Sequence, residues 1–242
     1  MRDLNAIIII YILLIIMISA RSNTLISTMF KLSMKDIPRT AKLMHDQFPL
    51  ENTYSWARAV GLKQSNLEYW LREEYLQKPI HEEIGCYGIK VDDEIVGVII
   101  NEKFTMKKEE DKNEELIVDE LLAYAYSSFD ALIDAAKDIV QIELDRKREK
   151  GPIAYVSWIA CDINNRNKGI ADSLIEKSSM EMTKLGYKYS TAFCVSPTAS
   201  RVFKRRGYEQ WGAIQYNKFE HKSKYPFAIL PDSLTIMVKE LK

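Results

Sequence analysis

Three cysteines and three histidines in 242 residues leave little material for disulfide or metal chemistry. Cys86, Cys161 and Cys194 are odd in number, form no CxxC pair and sit in apolar, strand-like runs. They read as buried reduced thiols, not as bridges or zinc ligands. His45, His81 and His221 lack metal-ligand spacing, and no metal is expected. Net charge is also missing: 34 Lys and Arg balance 34 Asp and Glu, so no basic tract advertises a nucleic acid. There is no Asn-x-Ser/Thr glycosylation acceptor, no internal repeat, and no low-complexity stretch beyond the amino terminus. These absences favour one domain, kept in a reducing compartment, with no polymer partner.

One feature is present in excess. Residues 6–20, "AIIIIYILLIIMISA", are apolar enough for a bilayer but shorter than the roughly 20 residues that span one comfortably. Three readings stay open. It is a signal-peptide core with Ile18 and Ala20 before a cut at Arg21, although Asp3 offsets Arg2 in the leader. Alternatively it is a short anchor, in which case Arg21, Lys31 and Lys35 outweigh the front flank and leave the domain on the cytosolic side. In the third reading translation starts at Met29. Residues 1–24 are set apart as a hydrophobic leader and 25–242 as one folded domain. The domain is expected in the cytoplasm, tethered if the leader anchors, and in the secretory pathway if it is a signal peptide.

From Met29 the pattern alternates strands with helices, which defines an α/β chain. "TMFKLSMKD" reads as a first strand, and "DIPRTAKLMHDQF" as a helix capped by Asp36 with Pro38 in its first turn. A short helix is expected over 66–75. "GCYGIKVDDEIVGVIINEKF" is a hairpin turning at Asp92 and Asp93. "KKEEDKNEE", residues 107–115, is a solvated excursion. Phe129, Leu132, Ile133, Ala136, Ile139, Val140 and Leu144 then recur at three and four, one buried face of a helix that ends at "RKREKGP". "IAYVSWIAC" is a fourth strand, covered on both faces. Helix 169–185, strand "YKYSTAFCV", a short helix 199–206 stopped at Gly207, and a closing strand "SLTIMVKEL" complete the order.

The chemistry concentrates after the fourth strand, in Arg166, Asn167, Lys168, Gly169, Ile170 and Ala171. The first N–H groups of a helix have no partner inside it and carry about half a positive charge, so a phosphate binds there. Gly169 and Ala171 keep the approach open, and Arg166 and Lys168 add charge-assisted contacts. The stretch matches neither a P-loop nor a dinucleotide fingerprint. Taken alone, it also reads as a capped helix with an ordinary glycine.

The succession "IACDINNRNKGIADSLI", "FCVSPTASRVFKRRGYEQWG" and a closing hydrophobic strand resembles the GCN5-related N-acetyltransferases (GNAT). "FPLENTYSWARAVGL" and "LTIMVKELK" are similar to their arylalkylamine branch. The resemblance implies a central mixed, twisted sheet of about six to seven strands, helices on both faces, and a splay between strands four and five. It implies acetyl-coenzyme A as acetyl donor and a small amine as acceptor. Trp158, Ile159, Ala160 and Cys161 would offer a strand edge to the pantetheine arm, and 166–171 would hold the pyrophosphate. The amine attacks the thioester directly, which calls for a base, an oxyanion donor and an acid for the leaving thiolate. The base is then Glu51, whose bland alternative is a solvated loop carboxylate. The family's acid is a tyrosine at the position of Phe203, which has no proton to give, so Ser196 and Ser200 become the candidates; Ser196 also reads as a helix cap. Tyr54, Trp56, Tyr69, Trp70 and Trp211 are candidate rings of an aromatic-amine pocket, with core or surface packing as the plain alternative; Tyr54 and Trp56 are preferred because they adjoin Glu51. The missing tyrosine keeps a second reading open, a weak or inactive acyl-coenzyme A binding module of the same fold. A membrane-held structural protein is a third.

Overall fold

A computed structural model describes residues 28–47, 64–106, 120–230 and 232–242. The leader, Glu51, Tyr54, Trp56 and the run 107–115 lie outside the described residues. Strand β1 (Thr28–Lys31) leads through a short 3-10 turn into helix α1 (Ile37–Gln47). Asp36 is not the cap: Ser33 takes that place, and the Asp36 carboxylate accepts from the Ser33 N–H at 3.0 Å and from its hydroxyl at 2.6 Å. Helix α2 (Gln64–Trp70) runs on into one turn of π-helix, Leu71–Tyr75, followed by α3 (Gln77–His81), which the sequence pattern does not mark. β2 (Tyr87–Val91) and β3 (Glu94–Lys103) form the expected hairpin. Asp92 and Asp93 both have positive φ, 49° and 67°, the backbone of a tight two-residue turn.

Helix α4 (Glu120–Lys147) starts well before Phe129 and buries Leu132, Ala136, Val140 and Leu144 along one face. β4 (Ile153–Cys161), α5 (Ile170–Lys184), β5 (Tyr189–Cys194), α6 (Pro197–Arg205), β6 (Glu209–Gln215) and β7 (Ser233–Glu240) follow. β6 is the strand that periodicity misses: it is a half-exposed edge strand with a glycine in its middle and little apolar alternation.

The strands make one seven-stranded mixed sheet in the order β1-β2-β3-β4-β5-β7-β6. Every neighbouring pair is antiparallel except β4 and β5. The two sheet faces carry different helices. Ile170, Leu174, Ile175 and Met182 of α5 share a core with Ile99, Val156, Ala192 and Met237. On the other face α4 covers Ile153, Tyr189, Leu234 and Ile236, while Ala41 and Met44 of α1 cover Val98 and Ile100. Among the described residues no helix is long and apolar enough to cross a membrane.

α5 sits so close to β3 that a Cβ on Gly97 would run into Ile170 Cγ2 and lie 3.2 Å from Leu174 Cδ1. A glycine in mid-strand here marks close approach of a helix. Replacing Gly97 with alanine is expected to cost about 1–3 kcal/mol by overpacking. Urea denaturation should give a lower midpoint with an unchanged slope; an unchanged midpoint would show that α5 can move off the sheet at no cost.

Candidate functional site

The parallel β4–β5 ladder runs from Ile153↔Tyr189 to Val156↔Ala192 and then stops, although β4 continues to Cys161 and β5 to Cys194. The strands part there. The gap opens a cleft of about 530 Å³ lined by Ser157, Trp158, Ile159, Ala160 and Cys161 on one side and by Phe193, Cys194 and Val195 on the other. Residues 158–161 keep their ladder to β3 through Trp158↔Ile100 to Cys161↔Gly97, and turn their second edge to the cleft.

At one end the cleft reaches the start of α5, and Asn165, Arg166, Asn167, Gly169, Ile170 and Ala171 line it. Asn167 and Gly169 take left-handed backbone, φ 61° and 78°, which folds the chain tightly before the helix begins. The first bond within α5 is Ser173 N–H to Gly169 O at 2.9 Å, so the amides of Ile170, Ala171 and Asp172 precede any carbonyl that could take them inside the helix. Nothing lies within 4 Å of where a Gly169 Cβ would stand, so the need for glycine is its backbone angle and the space above it stays clear. Arg166 Nη2 lies 3.4 Å from Gln47 Oε1 at the end of α1, and Lys168 Nζ donates to Asn165 Oδ1 at 2.9 Å. Arg205 of α6, which sequence reasoning did not single out, also lines this end, where it donates to Asp172 at 2.9 Å. All of the predicted phosphate residues except Lys168 border the cleft.

The other arm of the cleft is aromatic, with Trp70, Tyr75, Phe129, Tyr155 and Trp158 around it. Trp70 stacks on Tyr75 at 4.9 Å between centroids, and Trp158 lies 6.1 Å from Tyr75. Two one-residue irregularities aim polar groups into this arm. The β3–β4 register jumps between Ile100↔Trp158 and Asn101↔Val156, which leaves Ser157 as an extra residue. Side chains confirm it: Val156 faces the α5 core together with Ile159 and Cys161, a spacing that strict alternation forbids. The π turn closes at Tyr75. Tyr75 Oη lies 2.5 Å from Glu102 Oε1 and 2.6 Å from Ser157 Oγ, which is itself 3.3 Å from Ile100 O. Burial first, and then the Glu102 charge, hold the Tyr75 phenol well above its ordinary pKa, so it acts as an O–H group and not as a phenolate. These three residues were missed in the sequence. The only available signals were a lone serine in "IAYVSWIAC" and a lone acid closing an apolar strand.

The serines near α6 have local tasks. Ser196 caps α6, its hydroxyl accepting from the Ala199 N–H at 3.2 Å, and this moves the helix start from the expected 199 to Pro197. Ser200 donates to Ser196 O and Pro197 O at 3.2 Å, and lines a separate concavity with Gln215, Asn217 and Asp232. Neither is among the residues lining the cleft. Phe203 does line it and packs edge-on to Tyr208 at 4.9 Å. Cys161 is half-buried, unlike the buried thiol expected. Burial pushes Cys86 and Cys194 up to about 12. His221 is held below its usual pKa by burial and then by Lys222, and pairs with Ser127 at 3.1 Å away from the cleft lining.

Set beside solved structures, the chain has the GNAT fold. It matches the polyamine N-acetyltransferase of Drosophila melanogaster, an enzyme that forms N-acetylagmatine, with a TM-score of 0.65 and 16% identity over 89% of this chain and 100% of that one. A mosquito arylalkylamine N-acetyltransferase-like protein gives 0.66 and 15% over 89% and 100%. The C-terminal condensation domain of Ebony, solved with β-alanyl-dopamine, gives 0.67 and 13% over 89% and 99%. No protein-family model matches the chain.

Only thiolates alkylate readily. Cys161 is half-buried while Cys86 and Cys194 are buried, so at pH 8 iodoacetamide is expected to label Cys161 in the native chain and to reach Cys86 and Cys194 only after denaturation. Peptide mass mapping reads this directly, and native labelling of Cys194 would contradict the burial of that thiol at the cleft wall.

Proposed function

We propose that the chain is an acetyl-coenzyme A dependent N-acetyltransferase that acylates a small primary amine. One observation carries the reading: a single cleft joins the open edge of β4 to the glycine-opened amino end of α5 and ends in an aromatic arm. The residues fit the cofactor. Ile159, Ala160 and Cys161 offer strand-edge backbone to a pantetheine arm, and the clear space above Gly169 admits a pyrophosphate to the amides of Ile170 and Ala171. Arg166, Asn167 and Lys168 supply positive and polar contacts, with Arg205 close by. When bound, the cofactor supplies an acetyl thioester carbonyl for an amine to attack.

The aromatic arm supports a small amine as the acceptor, since rings favour the apolar body of such a molecule and attract its cationic head. Solved structures of like fold include enzymes described as arylalkylamine and polyamine N-acetyltransferases, which supports the same class. Glu51 remains the base that the family resemblance suggests. Ser196 and Ser200 remain the resemblance's choice for the acid, each already engaged at α6. Cys194, kept protonated by burial up to about 12, belongs to the same buried cluster as Phe203 and is a further proton donor to weigh.

Isothermal titration of the full chain with coenzyme A tests the cofactor half. Micromolar binding is expected, weakened at least tenfold, about 1.4 kcal/mol, by Arg166→Ala. Gly169→Val, which forces a branched residue into left-handed backbone, should weaken it further. Saturating coenzyme A should also slow alkylation of Cys161. A folded chain that binds no coenzyme A would end the acetyltransferase reading.

A further inference from the structure

Resting on the acetyltransferase reading above, we infer that Ser157, Tyr75 and Glu102, in place of Glu51, form a one-way proton relay that takes the proton from the acceptor's ammonium group. Tyr75 Oη touches both Glu102 Oε1, at 2.5 Å, and Ser157 Oγ, at 2.6 Å, yet a phenol has one proton. A carboxylate only accepts, so the Tyr75 proton belongs to Glu102. The short Ser157 contact is then satisfied by the Ser157 proton pointing at Tyr75, in preference to the longer 3.3 Å contact with Ile100 O. This order leaves the Ser157 oxygen as the chain's accepting end, and Ser157 is the first residue of β4 past the last β4–β5 pair. The relay therefore opens where the strands part, between the strand edge offered to the pantetheine arm and the aromatic arm.

The step balances with one proton. The ammonium gives a proton to Ser157 Oγ, the Ser157 proton passes to Tyr75 Oη, and the Tyr75 proton passes to Glu102. One N–H bond breaks, one O–H bond forms on Glu102, and the amine keeps the electron pair it needs as a nucleophile. The transfer turns an ammonium and a carboxylate into a neutral amine and a neutral acid, so no charge pair is left in the arm. The titratable or charged groups that couple to Glu102 or share its cleft are Lys103 beside it, whose backbone N–H donates to Glu82 at 3.0 Å, Tyr155 on β4, Cys86 before β2, and Asp130 and Lys137 on α4, the last lying 3.6 Å from Asp134. Burial holds Tyr155 and Cys86 in their protonated forms, so they do not compete for the role of acceptor. Ser157, Tyr75 and Glu102 all line the cleft, and in the proposed order the amine meets Ser157 first. Tyr75 and Glu102 act through it.

Thiol release from acetyl-coenzyme A by the full chain, measured from pH 5 to 10 with a panel of primary amines, tests the relay. In Glu102→Gln, kcat is expected to fall about 100- to 1000-fold at pH 7, with the amine KM and coenzyme A affinity changed less than threefold. The ascending limb of its kcat/KM profile should move to the pH at which the free amine loses its proton, with rate recovered there. Tyr75→Phe and Ser157→Ala should shift the same limb, and thermal melts within about 3 °C of wild type would show that the fold is kept. A merely structural role would lower the rate without moving the limb. An active wild type whose Glu102→Gln variant keeps both limb and rate overturns the relay alone. A wild type that binds coenzyme A but releases no thiol with any amine overturns the acetyltransferase reading and the relay with it.

Discussion

The site depends on a ladder that ends too soon. β4 and β5 are the one parallel pair in the sheet, and they hydrogen-bond for four residues before separating at Val156 and Ala192. Parallel neighbours need a crossover, here α5, and the crossover must start beyond the end of β4. The strand edge, the tight left-handed turn at Asn167 and Gly169, and the uncapped amides of α5 are therefore consecutive along the chain and contiguous in space. The rest of the sheet serves to hold that fork. β3 braces β4 on one side along its full length, β7 braces β5 on the other, and α5 is clamped to β3 over Gly97.

The turn and helix start at the end of β4 were legible because backbone behaviour is written in local residue types. Arg166, Gly169 and Ala171 announce a turn, a clear approach and a helix start in six consecutive letters. The hairpin at Asp92 and Asp93 and the apolar run of β4 were legible for the same reason. Capping was half legible. Ser33 displaced Asp36 as the cap because the carboxylate reaches back from the third position, and Ser196 was readable both as a cap and as a proton donor.

Of the aromatic arm, Trp70 was legible as a candidate ring, but the polar cluster beside it was not, and the cause is geometric. Tyr75, Glu102 and Ser157 come from a helix and two strands, and each distance among them rests on a single-residue departure from regular structure. A period of 3.6 or 2 averages over such departures. A π turn shifts the direction of every following side chain on a helix, and a bulge exchanges the faces of every following residue on a strand. Fork and arm thus differ in kind: the first is a local signal, the second a sum of two irregularities that only a folded chain adds together.

The bulge has one more implication. If Ser157 is struck out, the remaining letters IAYV and WIAC alternate without a break, with Ile153, Tyr155, Trp158 and Ala160 on one face and Ala154, Val156, Ile159 and Cys161 on the other. The strand's core does not need Ser157 at all. Loss of this one residue would leave the strand its full apolar pattern and remove the hydroxyl at the fork, so the polar group there rests on a single inserted residue that the packing of the sheet does not require.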